Sequence, residues 1–91
     1  SAASDVYKRQ VKEEAAQLMI TIRKENHNKV AILLNNEKLT VSPTISKPDK
    51  EGFITLCYSL PQKLSAGSYP IRFSPDGTEW TPAIYEVRLL K

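Results

Sequence analysis

Apolar and polar residues alternate with a period of two along most of the chain after Leu18. Such alternation is typical of β-strands that turn one face to the core and the other to solvent. The segment Val30–Leu34 is instead apolar on both faces, which predicts a central strand. We expect the alternating segments to give four inward-facing rows: Leu18, Ile20 and Ile22; Ile54, Leu56, Tyr58 and Leu60; Tyr69, Ile71 and Phe73; and Ala83, Tyr85, Val87 and Leu89.

Turn residues separate these segments. Asn35-Asn36 predicts a tight turn, because Asn accepts positive φ more readily than most residues. The segment Ser74–Gly77 (SPDG) has the residues of a β-turn, and residues 42–52, with two prolines, are expected to form a loop. Pro70 has no N–H to donate, which places it at a sheet edge or at a non-bonded position. Six or seven short strands of this kind predict an all-β fold, an antiparallel sandwich.

Before Leu18 the apolar positions follow a helical spacing. Tyr7, Val11, Ala15 and Leu18 fall at intervals of four, four and three residues. This spacing gives the narrow apolar stripe of an amphipathic helix. We therefore expect a short helix over about residues 5–17, docked by its stripe because so short a helix is marginal alone.

The first ten residues, SAASDVYKRQ, look like the in-frame translation of a sequencing adapter used in transposase-based library preparation. Scars of this kind are set apart when a fold is predicted. The gene would then come from assembled environmental or shotgun reads. The expected division is an adapter-derived segment at 1–10, the end of the short helix at 11–17 and the β-domain at 18–91.

The segment Leu64–Tyr69 (LSAGSY) has the spacing of a tyrosine corner. In that motif the tyrosine phenol bonds back to nearby backbone where the chain crosses between the sheets of a sandwich. Gly67 suits the turn conformation that residues with a Cβ avoid, and a plain hairpin loop is the alternative. We interpret Leu64, Gly67 and Tyr69, with Asp76 and Gly77 of the following turn, as structural turn and corner residues.

With this segment in view, most of the chain resembles the IPT/TIG family, the Ig-like domains of plexins, Rel-type transcription factors and many bacterial surface proteins. The likeness covers about residues 18–90 in four short pieces: Ile20-Thr21-Ile22 with Asn26, Val30 to Glu37, Leu60-Pro61 with Leu64 to Tyr69, and Asp76-Gly77 with Trp80. Lys24 and Asn36 stand where the family usually has glycine. The resemblance implies an Ig-like sandwich that lacks its first strand, which leaves an edge for the helix or a second copy to cover.

Composition and charge exclude several classes of function. The length of 91 residues predicts a single domain. A net charge of +3, with lysines spread over the loops, argues against nucleic acid as a partner. No apolar run is long enough to span a membrane, and no signal peptide is recognisable. One cysteine excludes an internal disulfide and one histidine excludes two-histidine metal motifs, so we expect no metal and no cofactor.

No arrangement of residues specifies a reaction, and we expect the protein not to be an enzyme. His27 lies between two asparagines without a carboxylate or cysteine at ligand spacing, which favours a solvent-exposed residue of a turn. Cys57 alternates with apolar residues in a strand, which favours an inert buried thiol. Asp49 and Glu51 offer too few oxygens, beside two lysines, for a calcium site.

Trp80 and Tyr85 are the candidate ligand-binding residues, as a stacking surface for a sugar or a peptide, with partial cover of the core as the alternative for Trp80. The leading hypothesis is a non-catalytic Ig-like spacer or protein-interaction module of a larger surface, secreted or virion protein, at the cell surface or outside the cell. Its partners would be another protein, neighbouring domains of the same chain, or a second copy paired through an exposed sheet edge. The alternatives are a Rel-like domain that dimerises and contacts DNA, and an accessory carbohydrate-binding module.

Overall fold

A computed structural model of the chain describes residues 5–91, and of Asp5 only the backbone. The described part has six strands and one 3₁₀ turn at Lys24–Asn26. The strands are β1 (Asp5–Arg23), β2 (Val30–Leu34), β3 (Glu37–Lys38), β4 (Thr44–Ile45), β5 (Phe53–Pro75) and β6 (Glu86–Leu90). Every strand pair is antiparallel, and no α-helix occurs within residues 5–91. The predicted all-β, antiparallel class is therefore confirmed.

β1 and β5 are long central strands that must bend. The strand order is β3-β2-β5-β1-β6, with β4 also paired to β5. β1 has 19 residues and β5 has 23. At about 3.3 Å per residue a straight β1 would measure about 60 Å, whereas the longest dimension of the fold is 33 Å. Both strands therefore fold back within the domain.

The bend lies where the register between β1 and β5 shifts. On β1 the shifts fall between Val11 and Glu14 and between Ala15 and Gln17. On β5 they leave Ala66 and residues 60–63 outside the register of the pair. Extra residues of this kind bend a strand and increase its local twist. Regular pairing resumes on either side, so the bend divides the β1–β5 pair into two halves.

The two halves form two layers with the core between them. The first layer contains residues 5–11 of β1 and 67–75 of β5, with β2 and β3; the second contains residues 17–23 of β1 and 53–59 of β5, with β4 and β6. Buried side chains from both layers make one apolar cluster: Leu18, Ile20, Ile22, Ile32, Leu34, Ile54, Leu56, Tyr58, Ile71, Phe73 and Val87. The architecture is therefore sandwich-like, built from one continuous bent sheet.

Arg9 links the two layers on one side of the sandwich. Residues 5–11 of β1 pair only with β5, so they form an edge of the first layer, and β6 is an edge of the second. The Nε–H of Arg9 donates to the carbonyl oxygen of Val87 in β6 at 2.8 Å. Its guanidinium also lies over the ring of Tyr7, 5.4 Å from the centroid. Because a hydrogen bond from a charged group contributes about 1.5–3 kcal/mol, this contact helps to hold the layers together.

The predicted helix over residues 5–17, with its last part at 11–17, is wrong. The whole of this segment belongs to strand β1. Tyr7 and Val11 lie four residues apart on the inward face of the strand, as a period of two requires. The bend that follows Val11 shifts the positions at which later side chains face inward. The exposed residues 12–14 lie in the bend, and Ala15 returns to the interior with 1% of its surface exposed. A strand interrupted by a bulge thus reproduces the intervals of four, four and three that resemble a helix.

The predicted inward rows are confirmed in the second half of β1 and in β5, where every residue except Tyr69 is buried or packs against the core. Tyr69 is only half-buried, beside the bend. The last row is correct only from Val87 onward. Ala83 and Tyr85 are exposed, and Ile84 packs against the core in their place. The reason is that β6 begins only at Glu86, so the chain before it is irregular and has no period of two.

Asn35 and Asn36 form the predicted tight turn between β2 and β3, with φ values of 52° and 69°. Pro70 lies in the central strand β5 and not at an edge. The N–H of Asn35 donates to the carbonyl oxygen of Pro70 at 2.8 Å, just beyond the last residue of β2. Since the N and O of one strand residue point to the same side, the missing N–H of Pro70 faces the turn and removes no bond from the ladder.

Leu64–Tyr69 belongs to the part of β5 that crosses from the second layer to the first. The hydroxyl of Tyr69 donates to the carbonyl oxygen of Ser65 at 2.7 Å. Leu64 packs against the core, and Gly67 pairs with Val11 where the bend of β1 begins. The bond from phenol to nearby backbone that defines a tyrosine corner is thus present at a crossing between layers.

Candidate functional site: an aromatic surface at the loop end

Three loops meet where β1 ends and where β5 and β6 begin, and we call this region the loop end. Residues 24–29 connect β1 to β2, residues 46–52 lead into β5, and residues 76–85 connect β5 to β6. The N–H of Lys24 donates to Gly52 O and the N–H of Tyr85 donates to Thr21 O, which fixes the loops to the strand ends. Loops on a rigid β scaffold are frequent positions for binding residues.

Arg23, Phe53 and Tyr85 form a stack at the loop end. Arg23 and Phe53 are cross-strand partners, and the guanidinium lies 5.1 Å from the centroid of the Phe53 ring. The rings of Phe53 and Tyr85 meet edge to face with centroids 4.8 Å apart and an interplanar angle of 76°. Tyr85 is still 56% exposed. The stack therefore holds one large ring in place while leaving much of its surface to solvent.

Arg23 is itself held by the neighbouring loops. Its Nη1–H donates to the carbonyl oxygen of Glu51 at 2.9 Å, and its Nε lies 3.5 Å from Oε2 of Glu25. A hydrogen bond from its own backbone N–H lowers the pKa of the Glu25 carboxyl below its ordinary value, and Arg23 acts in the same direction. Gly52 lies against the guanidinium, because a Cβ there would meet Nη2 at 3.0 Å. These contacts order the guanidinium that supports Phe53.

Trp80 is 67% exposed in the loop 76–85, so it does not serve as cover for the core. The hydroxyl of Thr78 donates to its carbonyl oxygen at 2.8 Å, which orders the backbone and not the ring. Within residues 5–91 no ring contact joins Trp80 to Tyr85. The structure thus places both candidate binding residues in one loop and brings only Tyr85 onto the stack.

Phe53 and Arg23 were not singled out by the sequence. Each is the outward residue at the end of an alternating segment, which is an ordinary place for either type. Their contact depends on the register of β1 against β5, which the local pattern does not contain.

Asp76 and Gly77, predicted as turn residues, lie directly after β5, where the N–H of Asp76 donates to Lys29 O at 3.0 Å.

The remaining candidates for chemistry do not form a site. His27 is exposed, and its Nδ1 lies 3.2 Å from Lys24 O. Oδ1 of Asp49 accepts the N–H groups of Glu51 and Phe53 at 2.9 and 3.0 Å, which is turn chemistry. Cys57 is half-buried on the outward row of β5, in contrast to the predicted buried thiol, and its Sγ–H donates to Gln17 Oε1. Within the described chain no group of three His, Cys, Asp or Glu residues could hold a metal ion.

Burial raises the pKa of the Tyr58 phenol, which belongs to the core cluster.

A groove of about 460 Å³ lies at the other end of the sandwich, between the β2–β3 turn and the bend of β5. Its lining is half apolar and half polar: Leu34, Asn35, Glu37, Lys38, Leu39, Leu60, Pro61, Gln62 and Leu64. Among residues 5–91 no helix is long and apolar enough to cross a membrane.

Comparison with known families places the chain in one of them. Residues 3–90 match the model of DUF6805, which is described as a family of unknown function. The chain belongs to this family. The DUF6805 match includes both layers and starts within the ten residues that resemble an adapter, whose origin stays a hypothesis. No curated protein matches the chain in sequence. The resemblance to IPT/TIG domains stays a prediction.

Proposed function

We propose that this DUF6805 domain is a non-catalytic, Ig-like interaction and spacer module of a larger surface, secreted or virion protein, and that the loop end is its contact surface. The observation that carries the proposal is the stack at the loop end, where Phe53 holds Tyr85 with more than half of its surface exposed. A ring that is already ordered loses little conformational entropy when a partner covers it. Tyrosine, tryptophan and arginine are also the residues that most often dominate binding energy at interfaces.

The course of the chain supports the role of a spacer. Asp5 pairs with Phe73 in the part of the first layer away from the bend, whereas Leu90 pairs with Gln17 beside the bend. The described chain therefore enters and leaves the sandwich at opposite ends. This geometry suits a domain that holds its neighbours apart along an extended protein.

Carbohydrate binding is a second candidate function, favoured by the exposure of Trp80. Exposed aromatic rings stack on the apolar faces of sugars as well as on peptide groups. Trp80 and Tyr85 would then act together as a platform, with the loop 76–85 adjusting their separation. The two candidates share a surface and differ in ligand class, so one experiment distinguishes them.

The test is binding of the full chain to a printed array that carries both extracellular proteins and glycans. We expect binding to protein spots that weakens by about tenfold or more in Tyr85→Ala, as for truncation of an interface hot spot. Ile45→Ala is the matched control, because Ile45 is similarly exposed (51%) but lies on β4. It should bind like the unchanged chain.

Binding to glycan spots alone, lost in Trp80→Ala, would replace the leading proposal with the carbohydrate one. Binding that both aromatic substitutions leave unchanged would show that the loop end is not the contact surface. Hydrolysis of an arrayed glycan or protein, abolished by His27→Ala, would contradict a non-catalytic role. Strong, salt-sensitive binding to duplex DNA would favour the Rel-like alternative.

A further inference from the structure

Asp76 and Gly77 form a dipeptide that few contacts restrain. Both residues are exposed, and within residues 5–91 neither the carboxylate of Asp76 nor the N–H of Gly77 has a hydrogen-bond or ion-pair partner. Gly77 adopts φ +75°, and a Cβ built on it would meet no atom within 4 Å. Within the described residues, no hydrogen bond therefore engages the N–H of Gly77 and no neighbouring atom crowds its α-carbon.

Asp49 provides a contrast within the same chain. Its Oδ1 accepts the backbone N–H groups of Glu51 and Phe53, and its own N–H donates to Phe53 O at 2.9 Å. The residue after Asp49 is Lys50, whose Cβ hinders attack by its own backbone nitrogen, an obstacle that glycine lacks. Asp49 thus has the same functional group as Asp76, in a loop of similar exposure, but is held in place.

We propose that Asp76 is a site of spontaneous backbone isomerisation to isoaspartate. The main-chain nitrogen of Gly77 attacks Cγ of the protonated Asp76 carboxyl and forms a new N–C bond. The bond from Cγ to the carboxyl hydroxyl breaks, and that hydroxyl leaves as water with the amide proton. The product is a five-membered succinimide. Water then adds to either of its two carbonyl carbons, which regenerates aspartate or gives isoaspartate, so the overall change consumes no reagent. Glycine favours the first step because it has no Cβ to obstruct the nitrogen and the most freedom to rotate.

The modification would alter the loop that carries Trp80. In isoaspartate the main chain runs through Cβ and Cγ, so it is longer by one methylene group. The free carboxylate is then attached directly to the α-carbon. The change falls directly after the bond from Asp76 N–H to Lys29 O, at the start of the loop 76–85. Its effect on binding rests on the proposed function, whereas the isomerisation itself does not.

The experiment incubates the full, folded chain at physiological temperature and pH and measures isoaspartate over time. Methyl transfer by a protein isoaspartyl methyltransferase gives the total, and electron-transfer fragmentation of proteolytic peptides gives the position. We expect isoaspartate to accumulate several-fold faster at residue 76 than at residue 49. Asp76→Glu should remove the signal, since the larger ring closes far more slowly, and Asp76→Asn should accelerate it with release of ammonia.

Equal rates at residues 76 and 49 would overturn the proposal, because the contrast in contacts would then be irrelevant. Isoaspartate at residue 76 in urea-unfolded chain but not in folded chain would also overturn it, because the folded loop would be protective. The binding array separates the two proposals. Isomerised chain that binds like the fresh chain would contradict only the effect on function.

Discussion

A chain that lacks residues 1–10 is expected not to fold cooperatively. Residues 5–10 pair with residues 68–73 of β5 and supply one edge of the first layer. Their removal takes away the Tyr7 ring, which packs edge to face on Phe73 at 5.5 Å, and the bond from Arg9 to Val87. Small domains bury little surface and have little stability to lose. Far-UV circular dichroism during a urea titration should therefore show a broad, non-cooperative change.

The matched control for this deletion removes only residues 1–4, which leaves every described contact in place. That variant should unfold in a single transition like the unchanged chain. If removal of residues 1–10 left both the transition and its midpoint unchanged, β1 would not begin at residue 5. The ten residues would then be dispensable for the fold, as their resemblance to an adapter predicts.

Phe73→Ala is expected to lower the free energy of unfolding by about 3–5 kcal/mol, the usual cost of truncating a buried phenylalanine. Phe73 is fully buried and is among the largest buried side chains of the core. It pairs with Ile32 on one side and Asp5 on the other, and its ring meets Tyr7, so the cavity would open in the middle of the first layer. Urea unfolding followed by circular dichroism measures the loss.

Trp80→Ala is the control for Phe73→Ala, since it truncates an aromatic ring that is mostly exposed. Its effect on the free energy of unfolding should stay within about 0.5 kcal/mol. A cost at Phe73 no larger than that at Trp80 would mean that the first layer does not pack against the core as described. A large loss at both positions would instead mean that Trp80 covers the core.

The period-two pattern was sufficient to predict the class and most of the core. Leu18, Ile20 and Ile22 in β1, and Ile54 and Leu56 in β5, are all at most 3% exposed, as the alternation required. A strand with one buried face leaves this mark in any sequence because successive side chains point to opposite faces. The turn at Asn35-Asn36 was equally visible, since its positive φ values restrict the residue types.

The bend was the feature that local pattern could not reveal. A bulge changes the phase of the alternation, so the intervals from Val11 to Ala15 to Leu18 coincide with those of a helix. Only the partner strand distinguishes the two, because residues 5–11 become a strand by pairing with residues far along β5. The pattern of apolar and polar residues within β1 therefore could not show that this segment pairs with the distant part of β5.

The candidate surface was predictable in part. The sequence offers Trp80 and Tyr85 as a stacking surface, and both side chains are exposed. The prediction that Tyr85 faces the core is wrong because β6 begins only after it, at Glu86. The alternation of apolar and polar residues does not show at which residue the strand begins. The roles of Arg23 and Phe53 required the structure, since their contact joins residues from the end of β1 and the start of β5.

The most direct test of a continuous bent sheet is the solution NMR spectrum of residues 5–17. The structure predicts extended backbone chemical shifts on both sides of the bend, cross-strand nuclear Overhauser effects between β1 and β5, and a contact between the rings of Tyr7 and Phe73. Helical chemical shifts over residues 5–17, with contacts between residues three apart and none to β5, would contradict it.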